Sequence, residues 1–274
     1  MKLNNDGLQR LQVLITVKTY PLPSRKYREL VCTAGVTANG DFVRLYPINF
    51  RKLDDEQQYK KYQWIEVNAN KHSGRDFRKE SFYPVVDSIR LGEYIPTRSG
   101  NWDTRAKYIL AKKSQSMEEL YDRQSVDQTS LGIFKPKTID DLEITSTTGK
   151  WSTNQESALL QLGLWDSPKK RSKPLRKVPY SFHYRFKCDD VRCKRNHRMS
   201  IHDWEVGVLF WKLVDAGATP EKAAHAVKSK FLNRLCGGDR NTHFFVGTML
   251  DYPSWIVLGL FSPKIGSLPL PFEF

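Results

Sequence analysis

Apolar and polar residues alternate with period two through much of the first half of the chain, a pattern that predicts half-buried β-strands. Leu11-Gln12-Val13-Leu14-Ile15-Thr16-Val17 is rich in β-branched residues and predicts a strand, with Pro21 and Pro23 breaking the pattern beyond it. A second strand is expected from Glu29 to Thr37 and a return strand from Phe42 to Tyr46, ended by Pro47. Between them, Asn39-Gly40 tolerates the positive φ that a tight hairpin turn needs. Trp64 to Asn68 and Tyr83 to Leu91 predict two further strands. The polar stretch between them, 70–79, carries Lys71, His72, Arg75, Arg78 and Lys79 and reads as a basic loop.

The period changes over 103–125. Ala106, Ile109, Leu110, Met117, Leu120 and Tyr121 recur at helical spacing, with a break near Ser114. A short strand is expected at 131–134 and one short helix between Trp151 and Trp165. Tyr180-Ser181-Phe182-His183-Tyr184-Arg185-Phe186 is an alternating aromatic strand. Two helices come next. The first is expected to be capped by Ser200, with Asp203 three residues on, to carry Trp204, Val208 and Trp211 on one face, and to end at Gly217. The second opens on Thr219-Pro220 and lines Ala223, Val227 and Phe231 along its apolar side. Two buried strands, 244–247 and 255–261, close the pattern.

These elements define a mainly β chain with helices, of the α+β class. The run Ser167-Pro168-Lys169-Lys170-Arg171-Ser172-Lys173-Pro174-Leu175-Arg176-Lys177 holds no acidic residue, and like-charge repulsion and its two prolines oppose packing. It marks a basic linker, 151–177, between an N-terminal β domain at 1–150 and a C-terminal domain at 178–274.

Composition sharpens the functional reading. With 274 residues and 39% hydrophobic positions, the chain can build a packed core, and disorder throughout is excluded. The 44 Lys plus Arg against 30 Asp plus Glu give a net charge of +14, which favours polyanionic partners, nucleic acid first among them. No apolar stretch has the length of a membrane span and the first residues are polar, so a cytoplasmic protein without a membrane partner is expected.

Cys188, Cys193 and His197 are spaced C-x4-C-x3-H, a short knuckle of thiolate and imidazole donors suited to Zn²⁺. A fourth donor must come from elsewhere, and Cys236 and His202 compete. Two helices of similar length, each about 24 Å, would lead out from the knuckle and back. That geometry favours Cys236, with an iron–sulfur cluster as the alternative occupant. Four protein ligands would leave no open position, so the metal is read as structural. Around it, Arg185, Lys187, Arg192, Lys194, Arg195 and Arg198 join Lys169, Lys170 and Arg171 of the linker as candidate phosphate contacts. Rings such as Tyr20, Tyr46 and Tyr83 are interleaved with charge and could stack bases, although strands are normally rich in aromatics for packing alone.

Three functions compete on these residues. A non-catalytic binder of single-stranded or structured DNA or RNA uses the charge directly. A metal-dependent nuclease would need carboxylates for Mg²⁺, for which Asp203 with Glu205, or Glu66 with Asp87, are the candidates. Asp203 and Glu205 lie two apart on an expected helix and do not share a face, which counts against them. A protein-docking accessory subunit is the third. The binder is preferred.

Three stretches also carry a family resemblance. They are Thr16-Val17-Lys18-Thr19-Tyr20-Pro21-Leu22-Pro23-Ser24, Val31-Cys32-Thr33-Ala34 and Val43-Arg44-Leu45-Tyr46-Pro47. Together with the knuckle leading into Asp203-Trp204-Glu205 and with His243-Phe244-Phe245-Val246-Gly247-Thr248, they resemble the dual OB-containing domain family of bacteria. The resemblance spans about residues 10–265. It implies two OB-like β barrels, the second carrying the metal knuckle and the helical hairpin. It also implies a role beside nucleic acid among DNA-repair, mobile-element or phage-defence genes, with no established reaction.

Overall fold

Burial along Gln63–Lys71 alternates, with Ile65, Val67 and Ala69 inward and Trp64, Glu66 and Asn68 outward, as a strand with one face on a core requires. In the computed structural model, which describes residues 7–24, 28–72, 76–97, 100–162, 174–194, 196–250 and 254–268, this strand closes a small barrel. The strands of the first half are β1 (Leu8–Lys18), β2 (Leu22–Ser24), β3 (Arg28–Val36), β4 (Phe42–Ile48), β5 (Gln63–Lys71), β6 (Ser81–Pro84) and β7 (Arg90–Tyr94). They pair in the order β1-β3-β4-β6-β5-β7, and β1 also pairs with β5. Leaving aside the short β2 and the flanking β7, five strands form a closed ring. All its pairings are antiparallel except the parallel β4–β6 pair. This is the Greek-key connectivity of an OB-like barrel. Its interior is filled by Val13, Ile15, Val31, Leu45, Ile65 and Val67, among others. The β3–β4 turn matches the sequence expectation, with Gly40 at φ +77°. Strand β4 runs through Pro47 to Ile48 rather than stopping before it, across a cis Tyr46–Pro47 bond.

The two helices expected over 103–125 are α1 (Asp103–Ile109) and α2 (Met117–Asp127). Beyond them come β8 (Leu131–Phe134), β9 (Thr138–Ser146), α3 (Thr153–Leu162), β10 (Tyr180–Lys187) and β11 (His197–Ser200). The C-terminal helices are α4 (Trp204–Asp215) and α5 (Pro220–Lys228), the latter continued by a π-helical turn over Ser229–Arg234, and β12 (His243–Thr248) and β13 (Trp255–Phe261) complete the fold. They build two three-stranded sheets, β11-β10-β9 and β13-β12-β8, joined by a parallel bridge between Ile201 and Val257. Thus β8 and β9, which fall within the 1–150 unit drawn from the sequence, pair with strands that come after the basic run. Their partners lie far along the chain, and no local pattern announces them. Of that run, 167–173 falls outside the described residues, whereas α3 occupies part of the expected linker.

Strands β12 and β13 read as unbroken apolar runs because both their faces are covered. Phe244, Val246 and Val257 face the core of the second half with Phe182, Tyr184, Phe186 and Phe210. Phe245, Ile256 and Leu258 face the other way and pack with Val17 and Ala34 of the barrel. A strand buried on both sides loses the period-two signature.

Helix α4 departs from the expected details. Its N-cap is Asp203, whose carboxylate accepts from the Glu205 N–H, rather than Ser200. Its buried side chains are Val206 and Phe210, with Gly207 between them, and Val208 is exposed. Helix α5 begins as expected, with Thr219 accepting from the Lys222 N–H and Pro220 at the first turn. Among the described residues, no helix is long and apolar enough to cross a membrane.

Candidate metal centre and nucleic-acid interface

Strand β10 sets the candidate metal centre by its register. Phe182, Tyr184 and Phe186 point into the core, and the next inward position is Cys188, which is 4% exposed. Strand β11 returns antiparallel with His197 opposite Phe186, and the two rings stack at 4.9 Å with an interplanar angle of 20°. The loop between the strands bends so that the Cys193 N–H donates to the Asp190 carbonyl (3.0 Å) and the Cys188 N–H points at Cys193 Sγ (3.4 Å). Cys188 Sγ lies 3.5 Å and Cys193 Sγ 3.3 Å from His197 Nε2.

A fourth candidate donor, Glu118, comes from the first turn of α2. Ser116 caps that helix, accepting from the Glu119 N–H at 3.1 Å, while its hydroxyl donates to Asp190 of the knuckle at 2.7 Å. The cap thus fastens α2 against the loop. Glu118 Oε1 lies 3.0 Å from His197 Nε2, and Glu118 Oε2 is buried with no hydrogen-bond partner. The Met117 N–H also points at Cys188 Sγ, at 3.3 Å.

One donor atom from each of Glu118, Cys188, Cys193 and His197 lies within 4.8 Å of the others, so this cluster could hold a metal ion. Tetrahedral Zn²⁺ with Zn–S near 2.3 Å and Zn–N near 2.0 Å sets S···N separations of about 3.5 Å, which the thiol–imidazole distances match. Burial pushes the Cys188 thiol well above its ordinary value, and Glu118 and Cys193 push in the same direction. A dication would offset that clustering of anionic donors. Among the described residues, this is the one set of three or more ligating groups brought together, so neither Asp203 with Glu205 nor Glu66 with Asp87 joins such a set. Asp203 is buried under α4, 4.0 Å from Lys61, and Glu66 pairs with Arg10 at 2.6 Å.

Cys236 lies outside this cluster. Its thiol donates to the Phe231 carbonyl at 3.1 Å and lies 4.0 Å from the Tyr184 hydroxyl. The helical hairpin does return to β10, as expected, but it meets the strand at Tyr184, about 13 Å short of Cys188 at 3.3 Å per residue. His202 is also elsewhere, beside Ser200 at 3.0 Å, and burial lowers its pKa to about 4.

The knuckle cations are placed less uniformly than their spacing implies. Arg185 and Arg198 converge on Glu143 of β9, at 2.5 and 2.7 Å. Arg192 pairs with Asp190 and with Asp122 of α2, and Lys137 answers Asp189. Lys187 and Lys194 are exposed. Lys169, Lys170, Arg171 and Arg195 lie outside the described residues. Carboxylates from β9 and α2 therefore offset part of the charge concentrated in this stretch of sequence.

OB barrels hold ligands on the outer face of their second and third strands and on the loops after the first and fourth. Here those strands are β3 and β4, and their outer face is already occupied by the second half of the chain. Ala34 packs with Leu131, Ile133 and Phe245. Arg44, 1% exposed, donates to Ser130 Oγ (2.7 Å) and to the Ser130 carbonyl (2.9 Å). Ser130 in turn donates to Glu80 at 2.7 Å. The second half also reaches the loop after β1, where the Tyr20 N–H donates to the His202 carbonyl at 3.0 Å. In the one after β5, Phe77 is 65% exposed, Arg78 pairs with Asp76, and Lys79 pairs with Asp127.

No curated protein matches this chain. A solved structure described as a Replication Protein A heterotrimer bound to ssDNA shares 10% sequence identity, covering 97% of this chain and 67% of that one at a TM-score of 0.25. A likeness at that level carries no inference here. Residues 9–111 match a second family, Domain of unknown function (DUF8758). Neither matching family is described as dual OB-containing; the OB-like character rests on the barrel's own strand order. With residues 113–272 matched, the chain belongs to the family described as Domain of unknown function (DUF8757).

Proposed function

We propose that this protein is a non-catalytic binder of single-stranded or structured nucleic acid, with a structural Zn²⁺ held by Glu118, Cys188, Cys193 and His197. The observation that carries the reading is the pairing of an OB-like barrel with a net charge of +14. A surplus of that size draws in phosphate backbones whatever their sequence. The barrel supplies the loops and the exposed Phe77 ring against which unpaired bases can lie. Two thiolates with one imidazole and one carboxylate suit zinc better than an iron–sulfur cluster, which is held mainly by thiolates. The metal's part is to fix α2 against the β10–β11 knuckle.

The test is the affinity of the full chain for a fluorescent oligonucleotide at increasing salt. Binding should weaken at least tenfold between about 50 and about 200 mM salt, as release of counterions from several phosphates requires. An affinity that stays flat over that range, or no binding at the low end, would refute the reading.

A further inference from the structure

The covered β3–β4 face leaves open the question of where a base would sit. A groove of about 590 Å³ lies between the loop after β1 and helix α4, within the size range of small-ligand sites. Tyr20 and Pro21 line it from the barrel side, Trp204, Trp211 and Lys212 from α4, and Pro174 to Arg176 from the segment before β10.

Its construction is specific. Gly207 of α4 faces Tyr20 so closely that a Cβ there would stand 2.1 Å from Tyr20 Cδ2. The missing side chain is what lets the tyrosine lie on the helix. Tyr20 is held at both ends: its backbone N–H donates to the His202 carbonyl (3.0 Å) and its hydroxyl to the Arg176 carbonyl (2.8 Å). Trp204 lies 6.4 Å from the Tyr20 ring and is braced by Phe50 at 5.5 Å. Arg176 spreads its guanidinium over the Trp211 ring at 4.0 Å and is oriented there by a two-point pair with Asp215, at 2.7 and 2.8 Å. A planar guanidinium on an indole is a platform on which a base can stack.

The charge at the rim has the matching sign. Arg51 and Arg176 each have a carboxylate partner, Glu29 and Asp215, and Lys212 adds an exposed cation on the outer side of α4. In the sequence, Lys169, Lys170, Arg171 and Lys173 come immediately before Pro174, a lining residue.

We infer that this groove takes an unpaired base of a single-stranded nucleic acid, the aromatic walls and Arg176 stacking the base and Lys212 meeting a neighbouring phosphate. The inference rests on the proposed nucleic-acid function and names a site for it. That site lies on the loop after the first barrel strand, away from the covered strand face.

The full chain is titrated with a fluorescent thymidine 20-mer and, separately, with thymidine monophosphate, using wild type, Lys212→Glu, Trp211→Ala and, on the knuckle, Lys194→Glu. Stacking of one base is worth about 1–3 kcal/mol by alanine substitution, so Trp211→Ala should weaken 20-mer binding by about 5-fold or more. Lys212→Glu should weaken it comparably without shifting the thermal midpoint, and Lys194→Glu should weaken it less. Should Trp211→Ala not fold, the exposed Lys212→Glu variant decides alone. If the 20-mer binds wild type and both groove variants equally, the groove is refuted and the nucleic-acid reading stands. If wild type binds no 20-mer, both fall. Thymidine monophosphate binding as tightly as the 20-mer would overturn the strand as the groove's occupant.

Discussion

Glu118 Oε1 and His197 Nε2 lie 3.0 Å apart, and this contact joins the first turn of α2 to the end of the β10–β11 hairpin. If a metal bridges them, Glu118→Ala should lower bound zinc well below one equivalent per chain, and Cys236→Ser should leave it unchanged. Elemental analysis of the purified variants checks both. Full zinc in Glu118→Ala, or its loss in Cys236→Ser, would restore the thiol as fourth ligand.

Removing the metal should loosen one region rather than the whole molecule. A chelator is expected to raise hydrogen exchange in α2 and residues 188–197, while the barrel strands β1, β3 and β5 keep their protection. Uniform loss of protection would make the metal a condition for folding the entire chain.

Gly207→Ala should destabilise the protein by about 1–3 kcal/mol, the usual cost of overpacking, because the new methyl meets the Tyr20 ring. Adding Tyr20→Ala should recover part of that loss in a double-mutant cycle monitored by urea unfolding. Additive losses would mean that the two residues are not in contact in solution.

Among the described residues, Arg44 is the largest charged side chain that the fold encloses wholly. Arg44→Met should cost about 3–5 kcal/mol in urea unfolding, since it leaves Ser81 and Ser130 without their shared donor and the Glu80 carboxylate, bonded to Ser130, without the nearby cation. A loss below about 1 kcal/mol would indicate that water reaches the junction.

His243 is 2% exposed, and burial lowers its pKa to about 4 from an ordinary value near 6.5. The folded state therefore favours the neutral ring. Its contribution is present above pH 6.5 and is lost as pH falls towards 4, by something on the order of 3 kcal/mol. Replacing it in His243→Gln should flatten the fall in unfolding free energy across that window. Equal slopes in the two proteins would show the ring to be solvated.

Much of the strand content could be read from the chain because alternation reports burial directly. That is why β5 and β10 were visible, and why the inward register of β10 leads straight to Cys188. Glu118 carried no such signal. A glutamate in the first turn of a helix is what the helix dipole favours anyway, so its type and place were already accounted for. Spacing favours Cys236 because a hairpin of two helices must return. Where it returns depends on the lengths of α5 and its π-helical turn, which spacing alone does not give. The coverage of β3 and β4 by the second half was equally hidden, since Ala34 and Arg44 occupy ordinary outward positions of a strand.

The pairing of β8 with β12 and of β9 with β10 means that covalent continuity through the basic run is not what unites the two ends of the molecule. A chain severed there would keep its pieces together through two ladders and a shared interior. Residues 1–162 and 174–274, produced as separate polypeptides, should therefore reassemble when mixed, and a cut at 150 should do the same.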